Sequence, residues 1–157
     1  MEKQHDSVIK MWQSYIESIG ELVESTNKTY EAWHFCMDEK NANELAVLVK
    51  KGVKKGTTSL YYSYQLENEP LPKIGQHNII LNWDGVAQCI IRTIDIEIKP
   101  FNKVSKDFAM IEGEGNGSLD YWKKVHKIAF DTELKASDQE FSEDMLVICE
   151  TFEVVYL

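Results

Sequence analysis

At 157 residues the chain is sized for one domain, and 43% hydrophobic with 27% charged residues gives it the apolar content for a folded core. A formal net charge of −9 excludes nucleic-acid binding by overall charge attraction, so any phosphate contact must come from a local group of cations. No apolar run approaches the roughly 18 residues of a membrane span, and the polar stretch Met1 to Asp6 lacks the apolar block of a signal peptide, so a cytoplasmic protein is expected.

Val8, Ile9, Trp12, Tyr15, Ile16, Ile19, Leu22 and Val23 recur at three- and four-residue steps, which predicts an amphipathic helix capped by Asp6 or Ser7. A second helix should begin at Asn41, with Glu44 as its capping partner, Leu45, Leu48 and Val49 buried, and Gly52 as its stop. Thr57 to Tyr64 is rich in β-branched and aromatic residues and reads as strand-like, before Glu69-Pro70-Leu71-Pro72 breaks the chain. Asn78 to Trp83 and Val86 to Asp95 predict two strands joined by a tight turn at Asp84-Gly85. Ile94, Ile96 and Ile98 alternate with Asp95, Glu97 and Lys99, which predicts one buried face and one wet face up to Pro100. Ser118 should cap a third helix carrying Leu119, Trp122, Val125, His126 and Phe130, and Val147 to Val155 should close the chain as a strand. Helices flanking a strand-rich middle predict an α+β protein with a curled or closed, mostly antiparallel sheet.

Two stretches could carry chemistry. In Lys50-Lys51-Gly52-Val53-Lys54-Lys55-Gly56-Thr57-Thr58-Ser59, four lysines precede three hydroxyls, and the glycines permit close backbone approach. Such a set suits a phosphate, a carboxylate or a polar base edge, although its order is not that of a phosphate-binding P-loop. The plainer account is a helix end whose lysines complement the helix dipole in water. In Glu112-Gly113-Glu114-Gly115-Asn116-Gly117-Ser118, two carboxylates alternate with glycines just before a helix, bringing acceptors and free N–H groups together. The plainer account here is a solvated capping loop.

His126 falls near the apolar face of its helix and reads as packed and hydrogen-bonded, and His34, between Trp33 and Phe35, reads as half-buried. Cys36, Cys89 and Cys149 are far apart and form no C-x-x-C pair, so no disulfide framework and no metal site are expected. No cofactor is expected either. The tyrosines Tyr61, Tyr62 and Tyr64 and the tryptophans Trp33, Trp83 and Trp122 could stack bases or fill a core.

Several segments occur in a telling order: Trp33-His34-Phe35, Asn43-Glu44-Leu45, Gly52-x-Lys54-x-x-Thr57-x-Ser59-Leu60, Leu71-Pro72-x-x-Gly75 and Pro100-Phe101. The last is Glu112-Gly113-Glu114-Gly115-x-x-Ser118-Leu119-x-x-Trp122-x-x-x-His126. Together they resemble the ASCH domain family (activating signal cointegrator homology), in its bacterial uncharacterised branch, over roughly Thr29 to Leu157. The resemblance implies a PUA-like fold: a small mixed β-barrel flanked by helices, here as a domain over 29–157 with an added N-terminal helical extension over 1–28. It also implies a partner, RNA or a nucleoside, with no DNA and no membrane, in a cleft lined by the Gly-x-Lys-x-x-Thr element.

One branch of the family deacetylates N4-acetylcytidine with a lysine, a threonine three residues later and a glutamate. Carried over, these are Lys54, Thr57 and Glu114, or Glu112 in place of Glu114; where that branch has an arginine, this chain has Ser59. Another ASCH protein is a ribonuclease. Two functional readings follow. In the first, RNA or a modified nucleoside is bound and hydrolysed as by an amidohydrolase or ribonuclease. Lys54, its pKa lowered by burial and by neighbouring lysines, would deprotonate Thr57, and Glu114 would serve the leaving group. In the second, the domain is a non-catalytic RNA-binding or regulatory module of translation or transcription. In either, Trp33, Gly52, Lys55, Ser59, Glu112 and Ser118 are expected to contact the ligand.

Overall fold

The computed structural model describes residues 3–157. Ten elements follow one another: α1 (Asp6–Ser18), β1 (Tyr30–Trp33), α2 (Glu39–Lys50), β2 (Gly56–Leu60), α3 (Tyr61–Glu67), β3 (His77–Leu81), β4 (Ala87–Pro100), α4 (Lys106–Glu112), α5 (Leu119–Lys135) and β5 (Leu146–Tyr156). A single 3-10 turn, Phe101–Lys103, separates β4 from α4. The strands form one mixed sheet in the order β1-β3-β4-β5-β2, within the expected α+β class. Two compact units emerge: Met1–Gly52, Ile74–Ile94 and Phe152–Leu157 form the first, and Val53–Lys73 with Asp95–Thr151 the second.

In the first unit β1 runs parallel to β3, and β3 antiparallel to β4 with a register shift at Ile80/Leu81. The connection between β3 and β4 is longer than the expected two-residue turn. It closes through the Asn82 N–H, which donates to the Val86 carbonyl at 3.0 Å, the Gly85 N–H, which donates to the Asn82 carbonyl at 3.0 Å, and the Val86 N–H, which donates to Asn82 Oδ1 at 2.9 Å. Helix α1 starts one residue earlier than predicted, because His5 Nδ1 accepts from the Ser7 N–H and serves as the cap. Val8, Trp12, Tyr15 and Ile16 pack on Ile79 and Ile90 of the sheet. The helix stops at Ser18, where Gly20 takes a left-handed φ of +80°. The predicted stripe therefore ends early, and Ile19, Leu22 and Val23 are exposed.

Helix α2 begins at Glu39, two residues before the expected start, since Asp38 Oδ1 accepts from the Asn41 N–H at 2.9 Å. Its buried residues are Ala42, Ala46 and Val49, while Leu45 is only half-buried against Phe35, Ile80, Cys89, Ile91 and Phe152.

In the second unit β2 pairs antiparallel with β5, from Gly56↔Thr151 to Leu60↔Val147. The strand-like run expected to reach Tyr64 ends at Leu60, and α3 follows at once. Strand propensity is overridden there by packing: Tyr62 lies against the core, and Ser63 Oγ donates to Glu133 of α5 at 2.7 Å. Helix α4 has no counterpart in the predicted elements; Ser105 caps it by accepting from the Phe108 N–H, and Gly113 ends it in a left-handed turn. Helix α5 matches its prediction, with the Ser118 hydroxyl accepting from the Tyr121 N–H. It buries Trp122, His126, Phe130 and Leu134, and its apolar residues pack on Leu60, Phe101, Val104, Val147 and Cys149. The expected alternation in β4 does not hold: Ile94 and Ile98 are exposed along with Asp95 and Glu97, and Ile96 and Lys99 are half-buried.

The early stop of α1 makes a stability prediction. Trp12→Ala empties a packed site against Tyr15 and Tyr30 and should cost about 3–5 kcal/mol in urea unfolding. Ile19→Ala, beyond the helix end, should stay within about 0.5 kcal/mol. Equal losses would mean that the buried stripe continues to Ile19.

Candidate functional site

The second unit buries a lysine. Lys54 is 1% exposed and is the bulkiest of its fully buried side chains. An ammonium removed from water is tolerated only when its hydrogens find acceptors and its charge a counterion. Three acceptors meet its Nζ: the Gly56 carbonyl at 2.7 Å, Glu112 Oε1 at 3.1 Å and Glu114 Oε1 at 2.7 Å. Burial alone would lower the pKa of Lys54, but the charges of Glu112 and Glu114 more than offset it and the net shift is upward. This reverses the expectation of a lowered pKa. The neighbours that decide the shift are carboxylates, while Lys55 is exposed.

Glu112 closes α4 and is itself 1% exposed. Its Oε2 accepts from the Thr58 hydroxyl at 2.8 Å, from Trp122 Nε1–H, and from His126 Nε2 at 3.1 Å. With Lys54 on Oε1, the carboxylate has four donors, three of them on Oε2. Burial pushes its pKa up, yet Lys54, His126 and these hydrogen bonds bring it down to about 2. For His126, burial lowers the pKa, and Glu112 first, then Glu114 and the Trp122 backbone, raise it above the ordinary value. The His126 ring stacks on Trp122 with centroids 4.3 Å apart, and its Nδ1 lies 2.8 Å from the Trp122 carbonyl.

Backbone geometry puts the two glutamates around one ammonium. Gly113 has φ +66°, and a Cβ there would stand 2.2 Å from the Val53 carbonyl oxygen. Only glycine allows the turn to lie so close to the chain leading into Lys54. The Lys55 N–H donates to the Ile111 carbonyl at 2.8 Å and ties the same two segments together. Gly115, at φ +57°, lies under the Tyr121 ring, 2.5 Å from where its Cβ would be.

The sequence-predicted residues thus separate. Lys54, Glu112 and Glu114 share one cluster. Thr58, not Thr57, contributes its hydroxyl to it, and strand alternation directs Thr57 and Ser59 to the other face of β2. Ser59 Oγ lies 3.3 Å from the Tyr64 hydroxyl. Ser118 spends its hydroxyl on the helix cap. Trp33 and Gly52 fall in the first unit; Trp33 Nε1 donates to Asn78 Oδ1 at 2.9 Å, and Gly52 supplies the left-handed turn after α2. Three contributors were not singled out as site residues from the sequence: Trp122, His126 and Thr58. The i, i+4 spacing of Trp122 and His126 just after a carboxylate-rich loop was the available signal. Among the described residues no helix is long and apolar enough to cross a membrane.

The model of the ASCH domain family matches residues 31–156. An ASCH domain from Lactobacillus crispatus JV V101 is similar in structure with a TM-score of 0.92 and 36% identity, over 100% of this chain and 99% of that one. Protein EF3133 from Enterococcus faecalis V583, of the family-model DUF984, aligns with a TM-score of 0.86 and 38% identity, over 96% and 89% of the two chains. Hypothetical protein PH0355, at 19% identity and a TM-score of 0.51 over 80% of this chain and 97% of that one, shares the fold alone. No curated protein matches the sequence. The α+β, PUA-like fold class expected from the sequence is the class found.

Two predictions follow from the buried cluster. Glu112 has a folded-state pKa near 2 against an ordinary 4.5, so its stabilisation is complete above 4.5 and is lost as pH falls toward 2. Glu112→Gln leaves Lys54 short of a counterion and should cost about 3–5 kcal/mol at neutral pH. Its urea midpoint should also fall less than that of the wild type on acidification; parallel acid limbs would remove Glu112 as their source. Gly113→Ala should cost at least about 2 kcal/mol, since strain in φ adds to the collision with Val53. A neutral result in thermal unfolding would contradict the close approach.

Proposed function

The chain belongs to the ASCH domain family, and on that footing we propose that it binds single-stranded RNA or a nucleoside at the Lys54–Glu114 edge of the buried cluster. One observation carries the reading. Within the ion-paired set the Lys54 and Glu112 side chains are 0% and 1% exposed, whereas the Glu114 side chain is 18% exposed while still held by Lys54. Glu114 is thus an oriented carboxylate that a ligand can reach. A carboxylate accepts from the exocyclic amine of cytosine and from other N–H donors on base edges. Tyr121, 37% exposed against Gly115 beside Glu114, offers the face on which the base stacks. Lys54 fixes the acceptor, and Glu112 fixes Lys54.

Binding is favoured over turnover by the charge of Lys54. The covalent route through Thr57 needs a proton acceptor, and an ammonium held by two carboxylates donates rather than accepts. Phosphate contact at this edge falls to Lys55 of the same unit, which is exposed.

The test is isothermal titration of wild type, Glu114→Gln and Tyr121→Ala with cytidine, N4-acetylcytidine and a short single-stranded RNA. Each variant should weaken binding by about tenfold. With one exposed lysine at this edge, the slope of log affinity for RNA against log salt should be no steeper than about −0.7. Unchanged affinity in Glu114→Gln, or no binding of any of the three probes by the wild type, would overturn the reading. Hydrolysis of N4-acetylcytidine that vanishes in Thr57→Ala would restore the covalent route in its place.

A further inference from the structure

His126 sits between two acceptors. Its Nδ1 lies 2.8 Å from the Trp122 carbonyl, and its Nε2 lies 3.1 Å from Glu112 Oε2. A carbonyl and a carboxylate can only accept, so both ring nitrogens must carry a proton for both contacts to be hydrogen bonds. A neutral ring always fails one of them. With the proton on Nδ1, the Nε2 lone pair faces the carboxylate; with it on Nε2, the Nδ1 lone pair faces the carbonyl. Either conflict is buried, with the histidine only 8% exposed.

We propose that His126 is a buried imidazolium that acts as the positioning residue of the site, locking Glu112 to the Trp122 backbone through its two N–H groups, and that its deprotonation as pH rises switches ligand binding off. The substrate side of this inference rests on the RNA or nucleoside reading above. The protonation side rests on geometry alone.

Both charges that act on the ring, Glu112 and Glu114, favour its protonated form. Glu112 comes from the end of α4 and Glu114 from the turn after it, both anionic; Lys54 precedes β2 and is cationic. Cys149 of β5 feels the Glu112 charge, but burial pushes its thiol up to about 12, so it stays neutral. The ring of Phe130 packs edge-on at 5.8 Å and adds no charge. Lys54 and His126 then balance Glu112 and Glu114, and the cluster is neutral. The raised pKa of His126 agrees with this balance.

Loss of the His126 proton leaves the cluster with one net negative charge in a buried setting. Lys54 alone then balances two carboxylates, the ring gives up its hold on either Glu112 or the Trp122 carbonyl, and the orientation of Glu114 is no longer fixed. An anionic RNA meets a like charge at the same moment. Because the folded-state pKa is raised above 6.5, the stabilisation from this pair is complete below 6.5 and is lost as pH rises through the folded value. His77, whose pKa is lowered by burial, acts with the opposite sign below 6.5, so a comparison with a His126 variant is needed to isolate the effect.

The experiment has two arms on the full chain. In the first, long-range proton–nitrogen NMR spectra of the nitrogen-15-labelled protein are recorded from acid to alkaline pH, with the His126 signals assigned by their loss in His126→Gln. Both ring nitrogens should show imidazolium shifts at neutral pH. A single-tautomer neutral ring at neutral pH would overturn the clamp. In the second, affinity for a short single-stranded RNA is measured against pH. Wild type should lose at least about tenfold as His126 deprotonates. His126→Gln keeps a donor to Glu112 but cannot titrate, so its profile should lack that step; a merely structural histidine would leave the two profiles parallel, and that result would overturn the switch. If the wild type binds no RNA at any pH, the functional reading fails and the switch with it, while the NMR arm still decides the clamp.

Discussion

The ammonium of Lys54 is the constraint on which the second unit is built. Taking such a charge out of water costs several kcal/mol, and the cost is met only by close acceptors of opposite charge. The surrounding features serve that need. The Gly56 carbonyl turns inward at the start of β2, α4 delivers Glu112 from its last turn, and Gly113 lets the chain reverse against Val53 so that Glu114 arrives from the other side. The bond from the Lys55 N–H to the Ile111 carbonyl holds these two segments in register. A different residue at position 54 would leave two carboxylates without their common partner. A bulkier one at 113 would keep the carboxylates from reaching it.

Two glutamates only one residue apart in sequence acquire opposite characters. Glu112 is held by four donors, 1% exposed and kept ionised to about pH 2, so it is structural in the sense that no ligand reaches its oxygens. Glu114 has the lysine on one oxygen and solvent on the other side. The division follows from the helix end: a residue in the last turn of α4 stays in the core, and a residue past the left-handed glycine leaves it. A site that must present one oriented carboxylate to a ligand needs a second carboxylate that never leaves, because a single Lys–Glu pair would swing as a unit.

Much of this was legible in the sequence, and the gaps have physical causes. The cap at Ser118, the helical stripe of α5 and the closing strand are local signals, and the structure follows them. Lys54 and the two glutamates are singled out by the resemblance to the ASCH family, since spacing alone favours a solvated helix end and a capping loop. Pairing across the unit was not legible. That Thr58 and not Thr57 faces Glu112 depends on which face of β2 looks inward, and two adjacent threonines give opposite answers for a shift of one residue. Helix α3 was hidden by its tyrosines, whose strand preference yields to packing on the core. The buried face of α2 was assigned to leucines, but close approach to the sheet selected Ala42 and Ala46. His126 could be read as packed and hydrogen-bonded; its partner could not, since nothing local links it to Glu112.

Core and site share the same side chains on α5. Trp122 and His126 stack on one another within the cluster of Phe101 and Phe130, and each also spends an N–H on Glu112. Aromatic packing therefore sets the angle at which two donors approach one carboxylate oxygen, and that angle fixes where the other oxygen can meet Lys54. Interiors are close-packed, so displacing one ring moves its neighbours rather than being absorbed. A change at Phe101 or Phe130, with no polar atom near the charges, would reach Glu114 through this chain of contacts. The geometry of the exposed carboxylate is thus maintained by apolar residues two contacts away from it.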